Sequence, residues 1–369
     1  MFRKRFWKNF DLILLAVTLL LTGVGILVIY SIGFKAVNIS SSTDVRNQII
    51  FATISLVGLF SAASLDYRMW SKLTPILYGL MVTLLLVVMV TGKTALGATR
   101  WINLGFFQFQ PSELAKLILI IVLARFISEH YDQMDRPRYL IQSAIYMIIP
   151  LVLVLAQPDL GTAMVLCVIW LVMVMITKIS KVYFVALAAA GVLLFPVIYK
   201  LLGTYQKARL AVFLNPTADP QGRGYNVLQS TVSVGSGQLF GRGLAAGSQS
   251  QLNFLPSQHT DFIFAVLSEK LGFIGGLLLL LMFGLLLARG LIISYRAQDR
   301  FGMFLAVGIV TMFLFHLFIN VGMNMGITPV TGIPLPFVSY GGTSLLIGMI
   351  GVGLLESIAV RRKKLEFGT

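Results

Sequence analysis

Three consecutive residues, His259, Thr260 and Asp261 in "LPSQHTDFIFAVLSEKLGF", put an imidazole, a hydroxyl and a carboxylate where a polar, glycine-rich stretch meets a continuous apolar run. A carboxylate there can take a proton from a substrate hydroxyl or help hold a cation. Partial removal from water would raise its pKa toward the range a general base needs. The competing reading of Asp261 is a helix cap, since the dipole and the free N–H groups of a first turn favour a carboxylate. Taken alone, the residue supports both equally. His259 by itself reads as a structural hydrogen-bonding residue, and His316, deep in another apolar run, as a helix-to-helix hydrogen bonder.

Further charges sit inside or beside apolar runs, where an ionisable side chain costs on the order of 3 kcal/mol. Glu113 and Lys116 in "FQPSELAK" are three residues apart on one helix face and can pair directly. They are either an internal ion pair that positions the helix or the lining of a polar cavity, which Arg100 of "ATRWINLG" could join. Asp159 in "AQPDLGT" reads mainly as an N-cap. Lys207, Arg209, Arg223 and Arg242 are ordinary solvated charges one by one; as a set they suit a phosphorylated group, because guanidinium forks match phosphate geometry.

Two nucleotide-like motifs fail. Gly92–Thr94 lacks the glycine five positions earlier that a phosphate loop requires, and the glycines at 235, 237, 241, 243 and 247 do not give GxGxxG spacing. Those glycines fit an irregular loop and backbone contact with a ligand equally well. With no nucleotide site, the driving force must come from the substrate, an ion gradient or a partner.

The elements that must position these residues are set by composition. The 369 residues are 57% hydrophobic and 12% charged, which excludes a soluble fold and points to an all-α polytopic integral membrane protein. Ten spans are expected, near 10–32, 47–64, 73–91, 112–129, 140–157, 160–177, 182–202, 261–288, 301–323 and 340–360. The basic N-terminus leads into a retained first helix, not a cleaved signal. Basic residues cluster at Arg3–Lys8, Arg68 and Lys72, Arg125–Arg138, Lys178 and Lys181, Arg289–Arg300 and Arg361–Lys364. That bias puts both termini in the cytoplasm. It explains the net charge of +15 without nucleic acid. Segments 92–111 and 203–260 then face outward, the second as a large extracytoplasmic loop between helices 7 and 8 of a single transmembrane domain, 1–369. The lone Cys167 excludes a disulfide framework.

"GSGQLFGRGLAAGSQSQLNFLPSQHTDFIFAVLSEKLG" and "NVGMNMGITPVTGIPLPFVSYGGTSLL", together with "GATRWINLG", "FQPSELAK" and "AQPDLGT", resemble the SEDS family of cell-wall proteins over the whole chain. The stretch "SQSQLNFLPSQHTDFIF" is more similar to the elongation (RodA-like) members than to the division members, although Ser257 stands where those commonly carry Glu. The resemblance implies a peptidoglycan glycosyltransferase that polymerises lipid II at the outer face of the membrane. It also implies a class B penicillin-binding transpeptidase and the elongation machinery as partners. Asp261 matches the family's essential acidic residue, and Glu113, Lys116 and Asp159 match other family positions. A divalent cation held by Asp261 and Glu113 remains open. In the expected mechanism Asp261 is the general base, and Lys116, Arg100 and Arg209 offset charge on a departing pyrophosphate. His259, Thr260 and Arg242 join the expected cavity. A flippase or transporter of lipid-linked precursors is the rival reading, and a scaffold that recruits a transpeptidase is a third.

Overall fold

The computed structural model describes residues 9–33, 39–95, 98–103, 108–180, 203–215, 223–245 and 257–362, with Gly105, Leu255 and scattered positions between 182 and 200. The helices are α1 (Leu12–Ile32), α2 (Ile39–Ser64), α3 (Tyr67–Lys72), α4 (Thr74–Thr91), α5 (Pro111–His130), α6 (Pro137–Ala156), α7 (Leu160–Met175), α8 (Thr204–Leu214), α9 (Arg223–Ser236), α10 (Ile263–Tyr295), α11 (Arg300–Asn324) and α12 (Gly342–Val360). Their starts follow local chemistry. Asp11, Asp159 and Asp299 cap α1, α7 and α11 through backbone N–H groups of the first turn. Proline opens α4, α5 and α6, where a missing N–H costs nothing.

Among the described residues, six helices (α1, the Thr43–Ser64 part of α2, α6, α10, α11 and α12) are long and apolar enough to cross a membrane, and two shorter apolar helices lie at Thr74–Val90 and Leu160–Met175. α5 has 20 residues but carries Glu113, Lys116, Arg125 and Glu129. The expected span at 182–202 falls largely outside the described residues. In α11 and α12, 72% and 78% of the most apolar window is buried, against 28% in α6 and α10. The first two are therefore core helices, and the others turn broad apolar faces outward. α11 packs on α10, α5 and α7, and α12 runs along α2.

Two features add to the expected outline. The chain is not purely helical: β1 (Lys93–Ala95), β2 (Ala98–Asn103) and β3 (Gln108–Phe109) form an antiparallel sheet in the order β1-β2-β3. Segment 203–260 is also not simply polar loop, because it contains α8 and α9. Its glycine-rich part is built against a helix: α10 is interrupted at Gly272, with φ 69°. There the N–H groups of Arg242 and Gly243 donate to the carbonyls of Glu269 and Lys270, while those of Phe273 and Ile274 donate back to Gln238 and Leu239. A Cβ on Gly272 would lie 2.3 Å from Gly241 N. The glycines thus permit backbone-to-backbone packing across a kink.

Candidate active site

Residues 257–262 fold into a tight turn before α10, with the N–H groups of Thr260 and Asp261 both donating to Ser257 O at 3.1 Å. The turn is held from two sides. Asn320 and Asn324 of α11 donate from Nδ2 to Asp261 O at 3.1 and 3.0 Å. Ser339 Oγ donates to Thr260 O at 2.7 Å, and Tyr340 N donates to His259 O at 2.8 Å. The first-turn N–H of Ala265 is capped by Asn324 Oδ1 at 3.1 Å, and the N-cap residue of α10, Phe262, makes no side-chain capping bond. The capping role considered for Asp261 therefore belongs to Asn324, 59 residues beyond the Ala265 N–H that it caps. The turn's backbone is fixed while the Asp261 carboxyl is left for something else.

That carboxyl lies beside Gly332, whose φ of 77° allows the backbone to turn under it. A Cβ on Gly332 would lie 3.6 Å from Asp261 Oδ2 and 3.7 Å from Arg209 Nη1, so the carboxylate and the α8 guanidinium flank one point. Burial raises the Asp261 pKa; Arg209, the hydrogen-bonded Thr260 hydroxyl and the charge of Arg100 pull it back. A small cavity of about 90 Å³ adjoins Arg209, lined also by Asn226, Thr328 and Val330.

Arg100 and Asp159 form the next layer. Arg100 on β2 donates from Nε to Gln157 O at 3.1 Å and from Nη2 to Pro158 O, and its Nη1 lies 3.7 Å from Asp159 Oδ1. Asp159 is 3% exposed; it accepts from Thr162 N at 3.2 Å and Thr162 Oγ1 at 2.9 Å. It is a cap, as its position suggests, and it also ties β2 to α7.

Glu113 and Lys116 pair at 2.7 Å with both residues buried. Lys116 Nζ also sits 3.0 Å from His316 Nε2, and His316 Nδ1 lies 3.3 Å from Pro334 O. Because the ammonium donates to Nε2, Nδ1 carries the imidazole proton and donates to the carbonyl. One loop connects this buried triad to Asp261. Gly332 lies beside the carboxylate, Ile333 O accepts from Asn320 Nδ2 at 2.8 Å, and Pro334 O meets His316. Ser339 Oγ closes the loop by accepting from Leu335 N at 2.8 Å.

The other expected site residues are placed differently. His259 is partly buried, its Nδ1 has no hydrogen-bond partner among the described residues, and burial lowers its pKa while Asp44 partly offsets that. Arg242 is exposed and donates from Nε to Ser236 O at 3.1 Å. Lys207 donates to Lys200 O and lies over the Tyr199 ring. Of the loop cations considered for phosphate, Arg209 is the one brought to Asp261; the side chain of Arg223 lies outside the described residues. No group of three or more His, Cys, Asp or Glu side chains suited to a metal occurs among the described residues, and the Glu113 carboxylate is committed to Lys116.

The family model described as "Cell cycle protein" (FtsW, RodA and SpoVE) matches residues 11–364. The chain belongs to this family. It is 38% identical over 370 residues to peptidoglycan glycosyltransferase MrdB of Escherichia coli strain K12, covering 99% of this chain and 98% of that one. It is also 38% identical over 356 residues to stage V sporulation protein E of Bacillus subtilis strain 168, covering 95% and 96%. Among solved structures, a chain from a peptidoglycan synthase complex that coordinates polymerization and crosslinking superposes with a TM-score of 0.80 at 29% identity, covering 95% and 97%. The rod shape determining protein RodA of Thermus thermophilus gives 0.71 at 27% identity, covering 96% and 98%.

Sequence reasoning missed the residues that hold this family member's site together. Asn320, Asn324, Gly332 and Ser339 all support the Asp261 turn or its floor. One signal was present: Asn320 and Asn324 are four apart in an otherwise apolar helix, and two amides on one face of such a helix require partners.

Proposed function

We infer that this chain is a peptidoglycan glycosyltransferase, an integral membrane enzyme that joins lipid II disaccharide units into glycan strands and releases undecaprenyl pyrophosphate. The observation that carries the mechanism is the Asp261 carboxyl, relieved of capping by Asn324 and held next to Arg209. The acceptor sugar hydroxyl gives its proton to an Asp261 oxygen as its own oxygen attacks the anomeric carbon of the donor. The bond from that carbon to the pyrophosphate oxygen breaks, and the electron pair leaves with the pyrophosphate. Direct displacement turns an α-linked donor into a β-linked product.

Burial supports this role, because a carboxylate with a raised pKa is a stronger base than one in water. Arg209 supports it from the other side as a charge partner for the departing pyrophosphate. Arg100 acts through Asp159 and the β2–α7 junction, and Lys116 acts from the buried triad through the 332–334 loop. Both are positioning residues, not direct contacts to the leaving group. A divalent cation, if one takes part, would be held by Asp261 and would supply additional positive charge for the departing pyrophosphate.

The chain is read as a single transmembrane domain with about ten spans, both termini in the cytoplasm and the Asp261 site at the outer face. The clustering of basic residues opposite that site supports this orientation. The partner is a class B penicillin-binding transpeptidase, and the role is in cell elongation. The test is incubation of the purified chain and partner with lipid II. Glycan polymer is the expected product; intact lipid II moved across a vesicle membrane with no polymer would overturn the reading in favour of a flippase.

A further inference from the structure

We propose that the end of the bundle remote from Asp261 holds a binding site for the headgroup of an anionic phospholipid, with a phosphodiester recognised by arginine and hydroxyls recognised by His130. α5 rises about 30 Å over its 20 residues, with Glu113 in its first turn and His130 in its last. Around its far end, α4, α5 and α6 border an open cleft of about 570 Å³, in the size range of small-ligand sites. The space is independent of the Asp261 chemistry. Its assignment to the cytoplasmic leaflet rests on the orientation given above.

Its chemistry is cationic and aromatic. Arg125, Arg138 and His130 line it with a single carboxylate, Glu129, and that carboxylate already accepts from Arg125 Nε at 2.8 Å. Arg125 Nη1 donates to Ser71 O at 3.0 Å, which fixes the guanidinium plane while leaving Nη2 for a ligand. Arg138 is exposed and forms no ion pair among the described residues. The cavity therefore has an excess of positive charge, with Arg125 offering one oriented Nη2 and Arg138 a second guanidinium to phosphate oxygens.

His130 selects the headgroup. Its ring is packed between Phe126 and Tyr139, with centroids 4.7 and 4.6 Å away. Its Nδ1 lies 2.9 Å from Phe126 O, so Nδ1 donates to that carbonyl and Nε2 is the ring nitrogen left to meet a headgroup. A hydroxyl, as a glycerol headgroup provides, pairs with that nitrogen as donor or as acceptor. α4 and α6 carry apolar residues exposed on their outer surfaces, Ile76 at 70% and Ile141 at 59% among them, along which acyl chains can lie. Basic pockets between membrane helices at a leaflet surface are suited to anionic lipid headgroups.

The test is native mass spectrometry of the full chain released from detergent after incubation with phosphatidylglycerol or phosphatidylethanolamine of identical acyl chains, with inorganic phosphate as competitor. One phosphatidylglycerol should be retained in preference to phosphatidylethanolamine, and inorganic phosphate should not displace it. Arg138→Gln should weaken retention about fivefold, the effect of one basic residue near a lipid surface, while Arg138→Lys should recover most of it. Equal retention of the two lipids, or an Arg138→Gln chain that binds like wild type, would overturn the proposal. Displacement by inorganic phosphate alone would assign the cavity to a soluble phosphate compound and overturn the lipid reading.

Discussion

Replacing Asn324 by alanine isolates the device that frees Asp261. Asn324 is fully buried. Its Oδ1 accepts from Ala265 N, and its Nδ2 donates to Asp261 O at 3.0 Å and to Asn320 O at 2.7 Å. The groups it leaves behind are not equal. Asp261 O keeps its bond from Asn320, Asn320 O sits in a helical ladder, and Ser230 Oγ keeps its bond to the Asn324 carbonyl. Ala265 N is the group orphaned outright, at a cost of about 1–3 kcal/mol, and the two lost donor bonds add about 0.5 kcal/mol each. Asn324→Ala should therefore lose about 2–4 kcal/mol of stability, measured by denaturant titration in detergent. With the turn held by Asn320, Ser339 and Tyr340 and no longer by Asn324, a displacement of Asp261 by about 1 Å would cost on the order of 100-fold in polymerisation. The rate is to be normalised to folded protein in a lipid II assay. An Asn324→Ala chain that is as stable and as active as wild type would refute both the cap assignment and the positioning of Asp261 by α11.

Three further outcomes are expected. Breaking the buried Glu113–Lys116 pair with Glu113→Gln or Lys116→Met should cost about 3–5 kcal/mol each, while the double variant should be far less unstable than the sum; a double-mutant cycle in denaturant checks this, and additive losses would contradict the pairing. Gly332→Ala should cost about 1–2 kcal/mol from its positive φ and slow polymerisation, because the methyl would stand between Asp261 and Arg209; wild-type rates at equal folded fraction would contradict the placement. Because burial raises the Asp261 pKa, polymerisation should fall as pH drops through a midpoint above the ordinary carboxylate value. The same raised pKa favours the protonated folded form, so its contribution to stability is present at low pH and is lost as pH rises through the folded value. Arg209→Gln removes a cation that opposes the shift and should move the activity midpoint to higher pH; a pH–rate profile with an unchanged or lower midpoint would contradict the Arg209–Asp261 coupling.

Most of the helical framework was legible in the sequence because a membrane crossing needs a long apolar run, and such runs stand out at α1, α10 and α11. Asp159 and the Glu113–Lys116 pair were legible for a related reason: a cap and an i,i+3 pair are local, decided within one turn. Asp261 was not decidable in this way. Whether it caps α10 depends on Asn324, and its neighbours Arg209 and Gly332 arrive from α8 and from the loop before α12. The strands at 93–109 and the helices at 204–214 and 223–236 lie in stretches of mixed polarity, where packing on the helical core sets the backbone. The glycines at 241 and 272 could equally have faced a ligand. Only their mutual approach across the kink in α10 shows that each makes room for the other's backbone.

The most direct measurement is polymerisation of lipid II by Asp261→Asn beside wild type, each with its transpeptidase partner and each shown to be equally folded and assembled. Asparagine keeps the shape of the side chain and caps helices about as well as aspartate, but it cannot accept the acceptor's proton. Loss of polymer with stability unchanged is the predicted result. Normal polymer from Asp261→Asn would contradict the assignment of Asp261 as the base.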